Sequence, residues 1–332
     1  MKILNAQELI RLLTNPSEID NFSDENYCAN QNVILDDTNG INLCCQQNLT
    51  LSSISFLKTF IYKAFPKNIE KYLKLYRLAF CNNNCSRFNF ISKKPKINEI
   101  DCAIWHKCTS SCLTCYNHYI KTKECILTDE EIDNLLTFYY EISQYLKGEN
   151  FKNYKNSDDI EFTIGGGGDL FFSENYKKIL KKDLTQFGFE KLNILTNLQT
   201  FNEKNLSEVN PKNLTNIKNV VFSFDGVTKE EYEYIRNGSN FDVAIKNFHN
   251  IKKFCPNAKI ECSSVISKLN FQNLEKFPNF IYNTFPETNL LHLFSMNVWL
   301  KDIEMYALDK KQEEELENFK KINKNFKEML IR

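Results

Sequence analysis

The sequence predicts an α/β protein: a parallel sheet or open barrel, preceded by a small N-terminal unit of different character. Three observations lead there. From residue 98 onward, short apolar runs alternate with amphipathic stretches at helical spacing. Before residue 97 that alternation is missing, and cysteines gather around a hairpin and a helical stretch instead. With 332 residues, the chain can bury a large core and has room for an appendage.

The elements follow in order. Residues 6–13 form a short amphipathic helix, and a polar loop follows. Two apolar runs then flank Asp36-Asp37-Thr38-Asn39-Gly40, which reads as a β-hairpin with Asn39-Gly40 supplying positive φ angles. Apolar residues recur at helical spacing over 54–78, with a break near Pro66. A turn at Cys81–Cys85 and the polar segment SKKPKINE close this unit near residue 97. Six strands are then expected, at 99–105, 159–164, 191–196, 219–224, 259–266 and 289–296. Helices fill the gaps. One starts near Thr128, where Thr128 can cap and Glu131 stands three residues on, and another covers 241–254. The division is therefore 1–97, 98–310 and a charged C-terminal helix at 311–332.

Composition narrows the function. The 42 basic and 42 acidic side chains cancel, without the basic stripe of a dedicated nucleic-acid binder. No apolar run is long enough to span a bilayer, and the polar N-terminus does not read as a secretory signal, so a cytoplasmic protein is expected. Twelve cysteines in a reducing compartment call for a reason other than disulfides, and their grouping in the first third suggests metal sites.

Cys108, Cys112 and Cys115 form a CxxxCxxC loop between a strand and a helix. Thiolates are soft ligands suited to iron–sulfur clusters or zinc. Three of them leave one iron of a four-iron cluster open, and an open iron can chelate the amino and carboxylate groups of a methionine. A structural zinc would want a fourth ligand, which His106 or His118 could supply. In C108-TSS-C112-LT-C115 and the Tyr116 that follows, the sequence resembles the radical S-adenosylmethionine (radical SAM) superfamily. Thr114 departs from the aromatic residue that many members carry before the last cysteine.

Downstream segments extend the resemblance over about 98–300. Gly165-Gly166-Gly167-Gly168-Asp169-Leu170 is similar to the family's GGEP, with Asp169 in place of glutamate and Leu170 in place of proline. Thr196-Asn197-Leu198 is similar to TNG. Ser223-Phe224-Asp225-Gly226 and Arg236-Asn237-Gly238 resemble the SxDG and RxG stretches, and Val265-Ile266 followed by Asn270 is a further match. The resemblance implies a partial (β/α)6 TIM-like barrel. It also implies a SAM pocket drawn from Gly166, Gly167, Gly168, Asp169, Asn197, Ser223, Asp225 and Arg236. Arg236 would face the SAM carboxylate.

Cys28 and Cys44 flank the hairpin, while Cys81 and Cys85 follow the helical stretch. Four thiolates can fully ligate a second 4Fe–4S cluster, or a zinc ion. The GINLC segment, with Gly40 ahead of Cys44, resembles the hairpin of the twitch module, a shortened SPASM domain. Here it precedes the barrel rather than following it. Cys45 is adjacent to Cys44 and competes for the same role. Cys102, Cys125, Cys255 and Cys262 read as small buried hydrophobes.

The resemblance implies reductive cleavage of SAM to methionine and a 5′-deoxyadenosyl radical, which abstracts hydrogen from a substrate. It implies a flavodoxin- or ferredoxin-type electron donor. It points to a peptide or protein substrate, with an amino sugar or aminocyclitol as the small-molecule alternative. No leader-peptide-binding domain is recognisable before the hairpin, so the peptide is favoured only slightly. A zinc-bearing, non-catalytic barrel is the reading of another class. No acid or base can be named from the sequence.

Overall fold

The computed structural model describes residues 107–115, 126–130, 132–133, 136–137, 161–166, 168–296 and 303–323 in full, and 27–28, 31–36, 40–42, 91–92, 97–102 and 301–302 as backbone. The chain divides into two compact units. One contains Met1–Ile104, Glu130–Phe162 and Phe187–Phe189; the other contains Trp105–Asp129, Thr163–Gln186 and Glu190–Arg332.

The first unit carries β1 (Tyr27–Cys28), β2 (Gln31–Asp36), β3 (Gly40–Asn42), β4 (Ile91–Ser92) and β5 (Ile97–Cys102). β1 pairs antiparallel with β4, while β2 pairs antiparallel with β3 and parallel with β5. The expected hairpin is thus present, but its register corrects the turn. Asp36 pairs with Gly40, leaving three residues between the strands, and Gly40 stands in β3 rather than in the turn. β5 also takes in part of the segment read as a linker, because Ile97 and Ile100 pair with β2. Residues 129–130, 132–133 and 136–137 are helical, and Ile132 and Leu136, one turn apart, are fully buried. Phe162 stacks on Phe189 with ring centroids 4.2 Å apart.

The second unit is an open sheet in chain order: β6 (Glu161–Ile164, its last two residues in this unit), β7 (Leu192–Thr196), β8 (Ile217–Ser223), β9 (Lys259–Ile266) and β10 (Leu290–Ser295). β7 to β10 run parallel to one another. Parallel neighbours need crossover connections, and helices supply them. These are α1 (Glu174–Lys181), α2 (Glu203–Leu206), α3 (Pro211–Asn216), α4 (Lys229–Ile235), α5 (Phe241–Phe254) and α6 (Phe277–Thr284). α7 (Lys310–Ile322) follows β10, and its burial is confined to Leu316. The α/β architecture matches the sequence reading. All six strands expected after residue 98 are present as β5 to β10, each within a few residues of its expected place.

The abundant asparagines have a structural use. Asn202, Asn210 and Asn240 each cap a helix, their side chains accepting from Asn205, Lys212 and Val243 N–H. Helix and sheet then close on an aromatic core. Phe222 and Phe224 meet Phe248 of α5 and Phe285 at the end of α6, with centroids 4.8–5.3 Å apart along the chain of contacts. Among the described residues, no helix is long and apolar enough to cross a membrane.

Candidate cofactor site

The carboxyl ends of parallel strands are where open α/β sheets bind ligands, and the residues singled out above lie there. Asp169 follows β6, Asn197 follows β7, Asp225 follows β8 and Asn270 follows β9. The cysteine loop is tied to these strand ends through its backbone. Ser111 N–H donates to Asn237 O (2.6 Å), Leu113 N–H to Ile235 O (2.9 Å), and Asp169 N–H to Lys107 O (3.0 Å). Glycine makes the fit possible at two points. A Cβ on Gly238, where φ is +86°, would lie 3.0 Å from Thr109 O, and one on Gly165 would lie 2.5 Å from Leu195 O.

Side chains lock the same loop. The Asp169 carboxylate accepts from Thr109 Oγ1 (2.9 Å) with one oxygen and from Thr200 Oγ1 (2.6 Å) with the other. The Asn197 amide lies 3.5 Å from Cys108 Sγ, 3.2 Å from Thr109 Oγ1 and 3.3 Å from Ser110 Oγ. Ser110 Oγ meets Ser239 Oγ at 2.5 Å, and Ser110 N–H points at Cys108 Sγ (3.4 Å). Leu198 adopts a left-handed backbone (φ 65°). Its side chain is fully buried, and its carbonyl accepts from Asn247 Nδ2 (2.7 Å), which holds a conformation bulky residues disfavour.

Asp225 and Arg236 are joined. Arg236 Nη1 donates to Asp225 Oδ2 (2.9 Å), and Val265 N–H donates to Asp225 Oδ1 (2.8 Å). Asn270 Nδ2 bridges the carbonyls of Asp225 (2.8 Å) and Val265 (2.9 Å). Both members of the ion pair are buried, and Arg236 Nε is buried with no hydrogen-bond partner among the described residues. A donor in that state is a place for a ligand's oxygen. Burial works against the Arg236 charge, but Asp225 and the Cys112 sulfur outweigh it and hold the guanidinium protonated.

The three thiols are half-buried and free of disulfides. Burial pushes Cys112 up to about 12 against the pull of Arg236, and it raises Cys108 against the Ser110 N–H. Cys108 and Cys112 are therefore protonated unless a metal displaces the protons. The donor set suits a cluster: three soft ligands on one short, anchored loop, with a cation beside them. Among the described residues, no three His, Cys, Asp or Glu side chains converge as ligands of a single metal ion. A four-iron cluster takes each thiolate on a different iron and needs no such convergence.

The remaining expected site residues are placed as follows. Gly166 is exposed and Gly168 half-buried beside Asp169, while Gly167 lies outside the described residues. Ser223 is half-buried at the end of β8. Cys28 stands in β1 opposite Ile91. Cys44, Cys45, Cys81 and Cys85 lie outside the described residues, as do Cys125, His106 and His118. Cys102 closes β5, and Cys255 and Cys262 are buried. Sequence reasoning missed Thr109, Ser110, Thr200 and Ser239. The run of small hydroxyl residues between Cys108 and Cys112 was the available signal.

No protein-family model matches the chain, and no curated protein does. Solved structures do match. TYW1 with a lysine–pyruvate adduct is 15% identical, with 69% of this chain and 74% of that one covered and a TM-score of 0.43. Streptococcus suis SuiB bound to S-adenosylmethionine is 12% identical, with 81% and 59% covered and a TM-score of 0.46. anSMEcpe with bound AdoMet is 18% identical, with 68% and 61% covered and a TM-score of 0.46. The chain thus spans about three-fifths of the length of the latter two.

Proposed function

We propose that the chain is a radical SAM enzyme, with a 4Fe–4S cluster on Cys108, Cys112 and Cys115 and SAM at the strand ends beside it. The observation that carries this reading is the double anchoring of the cysteine loop. Its backbone is bonded to Ile235 and Asn237, and its hydroxyls to Asp169 and Asn197. Such support is costly to build for three idle thiols and useful for holding ligands in fixed directions. When bound, the cluster supplies one-electron reduction of SAM, giving methionine and a 5′-deoxyadenosyl radical.

The chain's own residues have distinct parts in this reading. Asn197 and the Ser110 N–H fix the direction of the Cys108 sulfur. The unpartnered Nε of Arg236 is the donor offered to a carboxylate, while Asp225 holds the guanidinium in place. Asp169 has both oxygens engaged by threonine hydroxyls, so its part is to steady the loop, and neighbouring backbone is left to meet an amino group.

The finer reading is hydrogen abstraction from a peptide or protein, with an amino sugar or aminocyclitol as the small-molecule alternative. The support is the ordered Ser223–Gly226 and Arg236–Gly238 stretches, which resemble those of peptide-modifying members. A second 4Fe–4S cluster on Cys28, Cys44, Cys81 and Cys85, a flavodoxin- or ferredoxin-type donor and a cytoplasmic location complete the proposal.

Anaerobic reconstitution tests it. About eight irons per chain are expected with both clusters present and about four without Cys28, Cys44, Cys81 and Cys85. Reduction with dithionite and SAM should release 5′-deoxyadenosine. Alanine at Cys108, Cys112 or Cys115 should abolish that release. One or two zinc ions with no SAM cleavage would establish the non-catalytic zinc reading instead.

A further inference from the structure

Parallel sheets in α/β proteins are usually apolar on both faces, because helices cover both. The second unit departs from this on one side. Residues alternate along each strand, and Val220, Phe222, Ile260, Cys262 and Ile266 take the buried side. The other side holds Asn219, Ser223, Glu261 and Ser263 among the half-buried Val221 and Val265, and the register brings Leu290, His292 and Phe294 alongside. None of these is fully buried, and Phe294 is 51% exposed.

Polar side chains on this side join from strand to strand. Asn193 Nδ2 donates to Thr163 Oγ1 (3.2 Å), and Asn219 Nδ2 donates to Asn193 Oδ1 (2.9 Å). Further along, Glu261 Oε2 lies 2.7 Å from His292 Nε2, and Glu261 Oε1 lies 2.5 Å from Lys259 Nζ. The hydrogen bond from His292, followed by the Lys259 ammonium, holds the Glu261 carboxyl down at about 2 against the effect of burial. Glu261 is therefore an acceptor throughout the physiological range. That makes Nε2 the N–H of the imidazole and leaves the lone pair on Nδ1. The ring lies flat against Phe294, with centroids 5.8 Å apart and planes at 15°.

We propose that this face binds the substrate through a hydroxyl or amine group, and that His292, positioned by Glu261, accepts that group's hydrogen bond and its proton. The step is a proton transfer. The substrate O–H or N–H bond breaks, the proton joins Nδ1, the substrate keeps the electron pair, and the imidazolium pairs with Glu261. Ser263 and Ser223 offer further hydrogen bonds on the same face, while Val265 and Phe294 suit an adjoining apolar group. The inference deepens the radical SAM reading and rests on it for the identity of the reaction.

The test uses full-length protein with its iron restored. Diethyl pyrocarbonate modifies accessible, unprotonated histidines, and mass spectrometry reads each of the four separately. In mildly alkaline buffer His292 should react roughly threefold faster in the wild type than in Glu261→Gln, because the carboxylate accepts from Nε2–H and keeps the lone pair on Nδ1, whereas a glutamine can also donate to the ring. Glu261→Asp should fall between them and serves where Glu261→Gln does not fold. N-acetylserinamide and glucosamine, each at high concentration, stand in for the two substrate sources. Protection of His292 by the first alone supports a peptide hydroxyl, and protection by the second alone supports an amino sugar. A His292 that does not react, that reacts equally in Glu261→Gln, or that neither probe protects overturns the proposal. Iron content and 5′-deoxyadenosine release are measured on the same wild-type sample. Their failure would defeat the radical reading while leaving the footprint to decide the face by itself.

Discussion

The two sides of β8, β9 and β10 arise from one alternating pattern, yet they are built of opposite materials. On one side, Phe222 and Phe224 sink into a cluster with Phe248, Phe280 and Phe285. On the other, Asn219, Glu261 and His292 remain within reach of water and bond to their neighbours. Stability is therefore concentrated on the helix-covered side, and the other side is left free for polar chemistry. Phe224→Ala tests this with the largest expected effect. Its ring stacks on Tyr232 at 4.3 Å and meets Phe285 at 4.9 Å, so truncation should cost about 3–5 kcal/mol in denaturant unfolding. Phe294→Ser on the open side should stay within about 0.5 kcal/mol. Comparable losses from the two changes would break the contrast.

The strand ends differ from both sides, because there the polar groups are buried. Arg236→Met leaves the Asp225 carboxylate in the interior with only the Val265 N–H. Removing one partner of a buried pair costs about 3–5 kcal/mol, and adding Asp225→Asn should recover part of it. Chemical denaturation of the single and double variants measures this. A double variant as unstable as Arg236→Met alone would mean that the charge of Asp225 is not what the arginine compensates. Asp169→Ala is expected to be milder, at about 1–3 kcal/mol, because it orphans the Thr109 and Thr200 hydroxyls. It should also speed the reaction of Cys108 with thiol reagents in the iron-free protein. Asp169→Asn, which removes the cost of burying a charge but keeps a hydrogen-bonding group, should be closer to wild type. A Cys108 rate unchanged by Asp169→Ala would show that the carboxylate does not steady the loop.

Much of this was legible in the sequence. Each strand after residue 98 could be read from its apolar run, and the cysteine loop from its spacing. Asn270 after β9 is fixed by the local chain, its side chain accepting from Ser267 N–H three residues earlier. What could not be read were partners chosen by register. The hairpin shows it on a small scale, where pairing Asp36 with Gly40 moves the glycine from the turn into a strand. The same limit hid Asp169 reaching Thr109 and Thr200, which lie 60 and 31 residues away in the chain. It hid the Glu261–His292 pair as well. Each residue alone looks like an exposed polar position on a strand, and only β9 lying parallel to β10 brings them together.

That pair also gives the smallest and most specific expectation for the open side. The folded Glu261 carboxyl titrates at about 2, below the ordinary glutamate value of about 4.3 in an unfolded chain. A depressed value means that the native state holds the proton less tightly than the unfolded one. The stabilisation is therefore complete above roughly pH 4.3 and is lost as pH falls toward about 2. With Glu261 only partly shielded from solvent, the gain is on the order of 1 kcal/mol. Glu261→Gln should therefore be slightly less stable than wild type near neutrality, and the gap should narrow progressively as the solution is acidified. Urea unfolding of the two proteins across that range measures it. A gap that stays constant through acidification would mean that the carboxylate gains nothing from His292 and Lys259, and that the polar side of the sheet is solvated rather than organised.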